Sequence, residues 1–123
     1  MESILLIEDE KDLRETVEAT FKEEGYDVIS TEKSADGLEA VKVKKPDLIL
    51  LDIMTGSLHG VEFLKQLRAL PAELNDSKVI VFTNLDNDIT KEQMSMYDVS
   101  DYIVKAHSGI DEIVEKTKKV LAQ

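Results

Sequence analysis

Four apolar runs in this chain each end on a residue able to do chemistry. Ile4-Leu5-Leu6-Ile7 leads into Glu8-Asp9, Leu48-Ile49-Leu50-Leu51 into Asp52, Val79-Ile80-Val81-Phe82 into Thr83, and Tyr102-Ile103-Val104 into Lys105. If the fold brings the run ends together, three carboxylates, a hydroxyl and an ammonium form one site. Carboxylates within a few ångströms cannot all stay ionised without positive charge among them. An oxygen-only ligand set suits a hard cation, and Mg2+ typically takes one or two carboxylates, keeps several waters and accepts phosphate oxygens. A carboxylate beside such a cation can act as a nucleophile toward phosphorus, giving an aspartyl-phosphate. The cation and Lys105 would neutralise the phosphoryl oxygens, and Thr83 would hydrogen-bond one of them.

The elements needed to position these residues are legible. Continuously apolar runs are how strands buried on both faces of a parallel sheet read. Val28-Ile29 is a fifth, shorter run. Between the runs, apolar residues recur at helical spacing. Leu13, Val17, Thr20 and Phe21 form one set, stopped by Gly25; Ala35, Leu38, Glu39 and Val41 form a second, ending before Pro46. Val61, Leu64, Leu67 and Arg68 form a third, ending before Pro71; residues 89–96 form a weaker fourth; Ile110, Ile113, Val114, Thr117, Val120 and Leu121 form a fifth. Strand–helix alternation of this kind predicts an α/β fold with helices on both faces of the sheet. Right-handed crossovers narrow it to a doubly wound five-stranded parallel sheet of order 2-1-3-4-5. Ligands in such folds bind beyond the carboxyl ends of the strands, at the switch between strands 1 and 3. There Glu8, Asp9 and Asp52 would lie side by side, with Thr83 and Lys105 on the next strands.

Composition sets outer bounds. The 123 residues are expected to form a single domain, 1–123, with no linker, repeat or second unit. Lys and Arg number 15 against 26 Asp and Glu, so 15 − 26 = −11. That balance argues against direct binding to nucleic acid or an anionic membrane, since both need a cationic face. The absence of cysteine excludes a disulfide scaffold, a thiolate metal site and a cysteine nucleophile. No stretch approaches the ~20 apolar residues of a membrane span, and no signal segment is evident, so an intracellular soluble protein is expected. No Walker A or GxGxxG pattern occurs. The turn Glu8-Asp9-Glu10-Lys11-Asp12 would repel a flavin phosphate unless a cation intervened.

Taken in order, Ile4-Leu5-Leu6-Ile7-Glu8-Asp9-Glu10, Pro46-Asp47-Leu48-Ile49-Leu50-Leu51-Asp52-Ile53-Met54 with Gly60, Val81-Phe82-Thr83 and Asp101-Tyr102-Ile103-Val104-Lys105 resemble the receiver domain of two-component response regulators. The resemblance runs the length of the chain. It implies the flavodoxin-like (CheY-like) three-layer sandwich and a cytoplasmic signalling role. It also implies that Asp52 is the phosphoacceptor, charged by a sensor histidine kinase or a histidine phosphotransfer protein. Glu8, Asp9 and Asp52 would hold Mg2+ together with the backbone carbonyl of Met54. Thr83 would be the switch hydroxyl, Tyr102 the aromatic rotamer switch, and Lys105 the partner of the phosphoryl group. The signal would pass to a downstream protein or output domain through the fourth helix, fifth strand and fifth helix, drawing on Ile89, Met94, Tyr97, Val99, Tyr102 and His107. Such a domain assists its own phosphotransfer and autodephosphorylation but is not a metabolic enzyme.

Four positions depart from the family pattern. Gly56 stands where proline is common, His59 where an acidic or small polar residue is, and Asn84 where a small residue follows the switch hydroxyl. Ala106 follows Lys105 where a cis proline is usual; a trans bond is expected, since a non-proline cis bond costs roughly 2.5–4 kcal/mol. The departures at Gly56, Asn84 and Ala106 keep open a phosphorylation-independent interaction module. A Mg2+-dependent phosphohydrolase is a third reading, disfavoured by Met54 where an Asp-x-Asp pair would need a carboxylate. Plainer roles exist for single residues. Asp9 could cap the first helix, Asp52 and Thr83 could be caps, and Lys105 could be a solvated lysine. Tyr102, Met94 and Met96 could simply pack, and His59 and His107 are expected at the surface.

Overall fold

A computed structural model describes residues 2–52, 60–83 and 88–123, with the side chains of 88–91 excepted. Met54, Gly56, His59 and Asn84 therefore lie outside the described residues. Five strands, β1 (Ser3–Ile7), β2 (Asp27–Thr31), β3 (Leu48–Leu51), β4 (Lys78–Thr83) and β5 (Asp101–Val104), alternate with five helices. These are α1 (Lys11–Glu23), α2 (Ser34–Lys44), α3 (Gly60–Arg68), α4 (Asp88–Ser95) and α5 (Ile110–Leu121). The sheet is wholly parallel, in the expected order β2-β1-β3-β4-β5.

Side-chain alternation along the strands divides the core in two. Ile4, Leu6, Leu50, Ile80, Phe82 and Ile103 face one layer with Val17 and Phe21 of α1 and Ile113, Val114 and Val120 of α5. Leu5, Ile7, Ile49, Leu51, Val79 and Val81 face the other, with Leu38 and Val41 of α2, Phe63, Leu64 and Leu67 of α3, and Met94 of α4. All four residues of β3 are buried, which is why that run carries no polar position.

Register then sets the level of each strand end. Ile7 pairs with Leu51, Leu51 with Val81, and Phe82 with Ile103. The amide of Asp52 donates to the Ile7 carbonyl at 3.1 Å, extending the β1–β3 ladder one residue further. Glu8 thus stands level with Asp52, and Asp52 level with Phe82. Glu8 lies two residues beyond Leu6 and Asp52 two beyond Leu50, so both fall on the α1/α5 side of the sheet.

Local chemistry ends each element where the site needs it. Gly25, at φ 95°, takes the left-handed conformation that closes α1. Its amide donates to the Lys22 carbonyl, and the Tyr26 amide reaches back to Phe21, both at 3.1 Å. This is the paired hydrogen bonding of a Schellman motif. Its usual apolar contact is supplied by the rings of Phe21 and Tyr26, edge-on at 5.8 Å. At the other end of α1 the N-cap is Glu10, without a side-chain capping bond. Asp9 is exposed and does not cap the helix, contrary to the plainer reading of that residue. No cis peptide occurs among the described residues, so the bond between Lys105 and Ala106 is trans as expected.

Two tight features support this frame. Gly37 in α2 packs so closely on β1 that a Cβ there would overlap Ile7 Cδ1 and sit 2.8 Å from Ile7 Cγ1. Arg68, at the end of α3, donates to four backbone carbonyls: Tyr97 at 2.8 Å, Asn75 at 2.7 Å, Ser77 at 2.8 Å and Asp98 at 2.9 Å. One guanidinium thereby ties the chain after α4 to the chain before β4.

Gly37→Ala should lower stability by about 1–2 kcal/mol in urea unfolding, because Ile7 is fully buried and overpacking outweighs the gain of up to about 1 kcal/mol in helix propensity. A more stable Ala variant would show that Ile7 can yield freely. Arg68→Met should cost about 2–4 kcal/mol, since the four carbonyls lose a charged donor. A loss under about 0.5 kcal/mol would mean that water replaces the guanidinium without penalty.

Candidate functional site

The carboxyl ends of β1, β3 and β5 bring the charged residues together. Glu8, Asp9 and Asp52 each offer a carboxylate oxygen within 4.8 Å of the others, and no other such group occurs among the described residues. Glu8 is fully buried, Asp52 is 4% exposed and Asp9 faces solvent. Lys105 enters from the turn after β5. Its ammonium donates to Asp52 Oδ2 at 2.8 Å and forms an ion pair with Glu8 Oε1. One cation therefore holds the two buried acids, while the exposed third has access from solution.

The same fold that buries Glu8 also restrains it. Its amide donates to the Thr31 carbonyl at 3.1 Å, and its Oε2 accepts from the Glu10 amide at 3.0 Å. No donor is aligned on Oε1 in hydrogen-bond geometry, although the Lys105 ammonium lies against it. Burial pushes the Glu8 carboxyl up to about 7; Lys105 and the Glu10 amide pull it down, and Asp52 adds to the rise. The Lys105 ammonium is held above its usual range by the two carboxylates, against the opposing effect of burial. A buried carboxylate that favours its proton unless a positive charge approaches is suited to receive a cation.

The donor set fits Mg2+. Neighbouring oxygens of an octahedral Mg2+ lie about 3 Å apart, and the ion typically keeps several waters, so carboxylates within 4.8 Å can be bridged directly or through water. Oxygen ligands without nitrogen or sulfur match the hard-cation expectation. Met54, whose carbonyl was expected to complete the set, lies outside the described residues.

Thr83 ends β4, buried to 2% exposure and paired in register with Val104. Tyr102 is half-buried against the layer containing α2, α3 and α4, and its carbonyl accepts from Lys116 Nζ at 3.1 Å. On the surface expected to carry output, Tyr97 and Val99 are half-buried and His107 is exposed. Met94 is buried in the core and presents nothing there, and the side chain of Ile89 is outside the described set. Met96, which could have packed, is instead 77% exposed.

Two neighbours were not foreseen. Arg14, one turn into α1, donates from Nη1 to the Glu8 carbonyl at 2.9 Å and the Asp9 carbonyl at 3.4 Å, fixing the backbone of the acidic turn. Its place five and six residues after the acidic pair was the available signal. Phe82 presents its ring to the Lys105 ammonium at 5.1 Å from the centroid. In sequence it was indistinguishable from a core residue.

Comparison with known proteins agrees with this geometry. Residues 4–118 match the family model described as the response regulator receiver domain. Relatives include the response regulator ArlR of Staphylococcus saprophyticus, 31% identical over 98% of this chain and 53% of its own length. The alkaline phosphatase synthesis transcriptional regulatory protein PhoP of Bacillus subtilis is 30% identical over 96% of this chain and 48% of its own. The chain spans about half the length of these curated relatives. Among solved structures, a DNA-binding response regulator of the LuxR family from Staphylococcus aureus superposes with TM-score 0.86 at 28% identity, covering 98% of this chain and 99% of that one. A CheY-like receiver domain protein from Methanospirillum hungatei shares the fold, with TM-score 0.89 at 22% identity, over 99% of this chain and 94% of that one. No helix among the described residues is long and apolar enough to cross a membrane.

The raised Glu8 carboxyl sets a pH dependence. A folded value near 7 against an ordinary 4.5 contributes stability fully present below about 4.5 and lost as pH rises through about 7. Lys105 contributes in the same sense, but only far above that window. Without divalent cations, urea unfolding should therefore show a decline in stability across this window that Glu8→Gln removes. Mg2+ affinity, followed by calorimetry, should rise with pH through the same window, because cation and proton compete for Glu8. Affinity independent of pH would count against Glu8 as a ligand.

Proposed function

The chain belongs to the response regulator receiver domain family of two-component systems, and from that premise we propose that it accepts a phosphoryl group on Asp52. The observation that carries this reading is the single buried carboxylate at the end of β3, paired at 2.8 Å with Lys105 and grouped with Glu8 and Asp9. The donor is the phosphohistidine of a sensor histidine kinase or a histidine phosphotransfer protein. An Asp52 carboxylate oxygen attacks phosphorus as the P–N bond to the donor imidazole breaks. The P–O bond forms, and the imidazole leaves with the electron pair.

Each residue of the site has a part. Glu8, Asp9 and Asp52 would hold Mg2+, with the Met54 carbonyl completing the set. When bound, that ion supplies charge neutralisation for the phosphoryl oxygens and for the acids that flank them. Lys105 stays within reach of Asp52 and pairs with a phosphoryl oxygen. Thr83, at the neighbouring strand end, gives its hydroxyl to another. Arg14 keeps the acidic turn in place through its carbonyls.

The consequence is a shift in conformational population rather than turnover of an external substrate. Thr83 moving toward the phosphoryl group makes room for Tyr102, now half-buried, to change its exposure. The face of α4, β5 and α5 would then bind a downstream protein or output domain differently. On this reading the protein acts as a cytoplasmic signalling phosphoacceptor rather than a metabolic enzyme, and works on protein partners rather than directly on nucleic acid or membrane.

Incubation with a small phosphodonor and Mg2+ should add one phosphoryl group to the intact protein, read by mass spectrometry. Asp52→Asn should abolish the adduct, and removal of Mg2+ by chelation should reduce it at least tenfold. An adduct that survives in Asp52→Asn would sink the assignment. No adduct on the unsubstituted chain, together with partner binding unaffected by phosphodonor, would instead favour the phosphorylation-independent module.

A further inference from the structure

We propose that Phe82 is a positioning residue for Lys105, holding its ammonium beside Asp52 through the face of its ring. The proposal rests on the phosphoacceptor reading of Asp52.

Glu8, Asp52 and Phe82 occupy one level across β1, β3 and β4, on the α1/α5 side. Ile103 pairs with Phe82 at that level, so Lys105, two residues further along, emerges past the end of the sheet on the same side. Its side chain must fold back to reach the row. Its ammonium meets all three members: Asp52 Oδ2 at 2.8 Å, Glu8 Oε1 in an ion pair, and the Phe82 ring at 5.1 Å from the centroid. The third place in a row of acids is thus filled by an aromatic face.

A ring face attracts a cation through its quadrupole, most strongly where water is excluded. Phe82 is 1% exposed and the Lys105 side chain 14%, so the contact is largely dry. The ring differs from the acids in one respect that matters here. Its attraction does not depend on the ionisation of Glu8 or Asp52, nor on whether either carboxylate is engaged elsewhere. When Glu8 takes up another positive charge, its hold on Lys105 weakens, while that of Phe82 persists. Any apolar residue could pack against the lysine stem, but only an aromatic one can hold its charged end.

The test uses ring fluorination, which weakens the quadrupole while nearly preserving shape. Site-specific incorporation of mono-, tri- and pentafluorinated phenylalanine at position 82 should slow small-donor labelling of Asp52 stepwise, by about three- to tenfold at the end of the series. The readout independent of labelling is a double-mutant cycle in urea, without Mg2+, between fluorination and Lys105→Met. Fluorination should lower the unfolding midpoint in the Lys105 protein and much less in Lys105→Met. Equal midpoint shifts in both backgrounds overturn the proposal. So do labelling rates that ignore fluorination while the unsubstituted chain labels normally. If the unsubstituted chain takes no label, the phosphoacceptor reading itself fails, and the role given to Phe82 falls with it.

Discussion

Two acids buried within reach of each other at a sheet edge, with a third exposed beside them, are the constraint on which the rest of this structure depends. Desolvating a carboxylate is costly unless a positive partner compensates it. Here one ammonium serves both buried acids, Glu8 and Asp52, so neither can be understood without Lys105. The arrangement is satisfied but not saturated. Glu8 keeps an elevated affinity for its proton, and the exposed Asp9 remains open to solvent. A site in this condition favours a further cation, and after it an anion that both positive charges can share.

The fold supplies a platform stiff enough to hold such a site. Every residue of β3 is buried, and the apolar residues of β1, β3 and β4 are packed from both faces by helices. Within β1, β3 and β4 polar residues occur only at the strand termini, so the chemistry is confined to the rim. Two of the connecting segments are restrained by arginines that bond backbone carbonyls. Arg14 grips the acidic turn and Arg68 the chain that follows α4. Both side chains span between elements, which makes the α1 and α4 ends depend on single residues.

Much of this is legible in the sequence. The runs Ile4–Ile7 and Leu48–Leu51 read as doubly buried strands because neither face could be polar. Gly25 marked the end of α1 because the turn there needs a left-handed residue. Other details were not legible. Asp9 looks like a helix cap by type and position, yet the cap falls one residue later, on Glu10, and the exposed Asp9 carboxylate is grouped with Glu8 and Asp52 instead. Met94 and Met96 are two residues apart, the first in the last turn of α4 and the second in the turn that follows it. One lies in the core and the other in solvent because place in the fold, not residue type, decides burial.

The sequence by itself determined the strand and helix alternation, the order of the sheet and hence the identity of the residues at the strand ends, since hydrophobic period and crossover handedness leave few alternatives. Only the tertiary structure decided how those residues share charge. Glu8 is buried and proton-loving while Asp9, its neighbour in the chain, is exposed, because the Glu8 amide still bonds to β2 while the chain bends away at Asp9. Phe82 became part of the site for the same kind of reason. Its type says only that it is apolar; its register, level with Asp52 and beneath the returning Lys105, is set by hydrogen bonds between strands far apart in the chain.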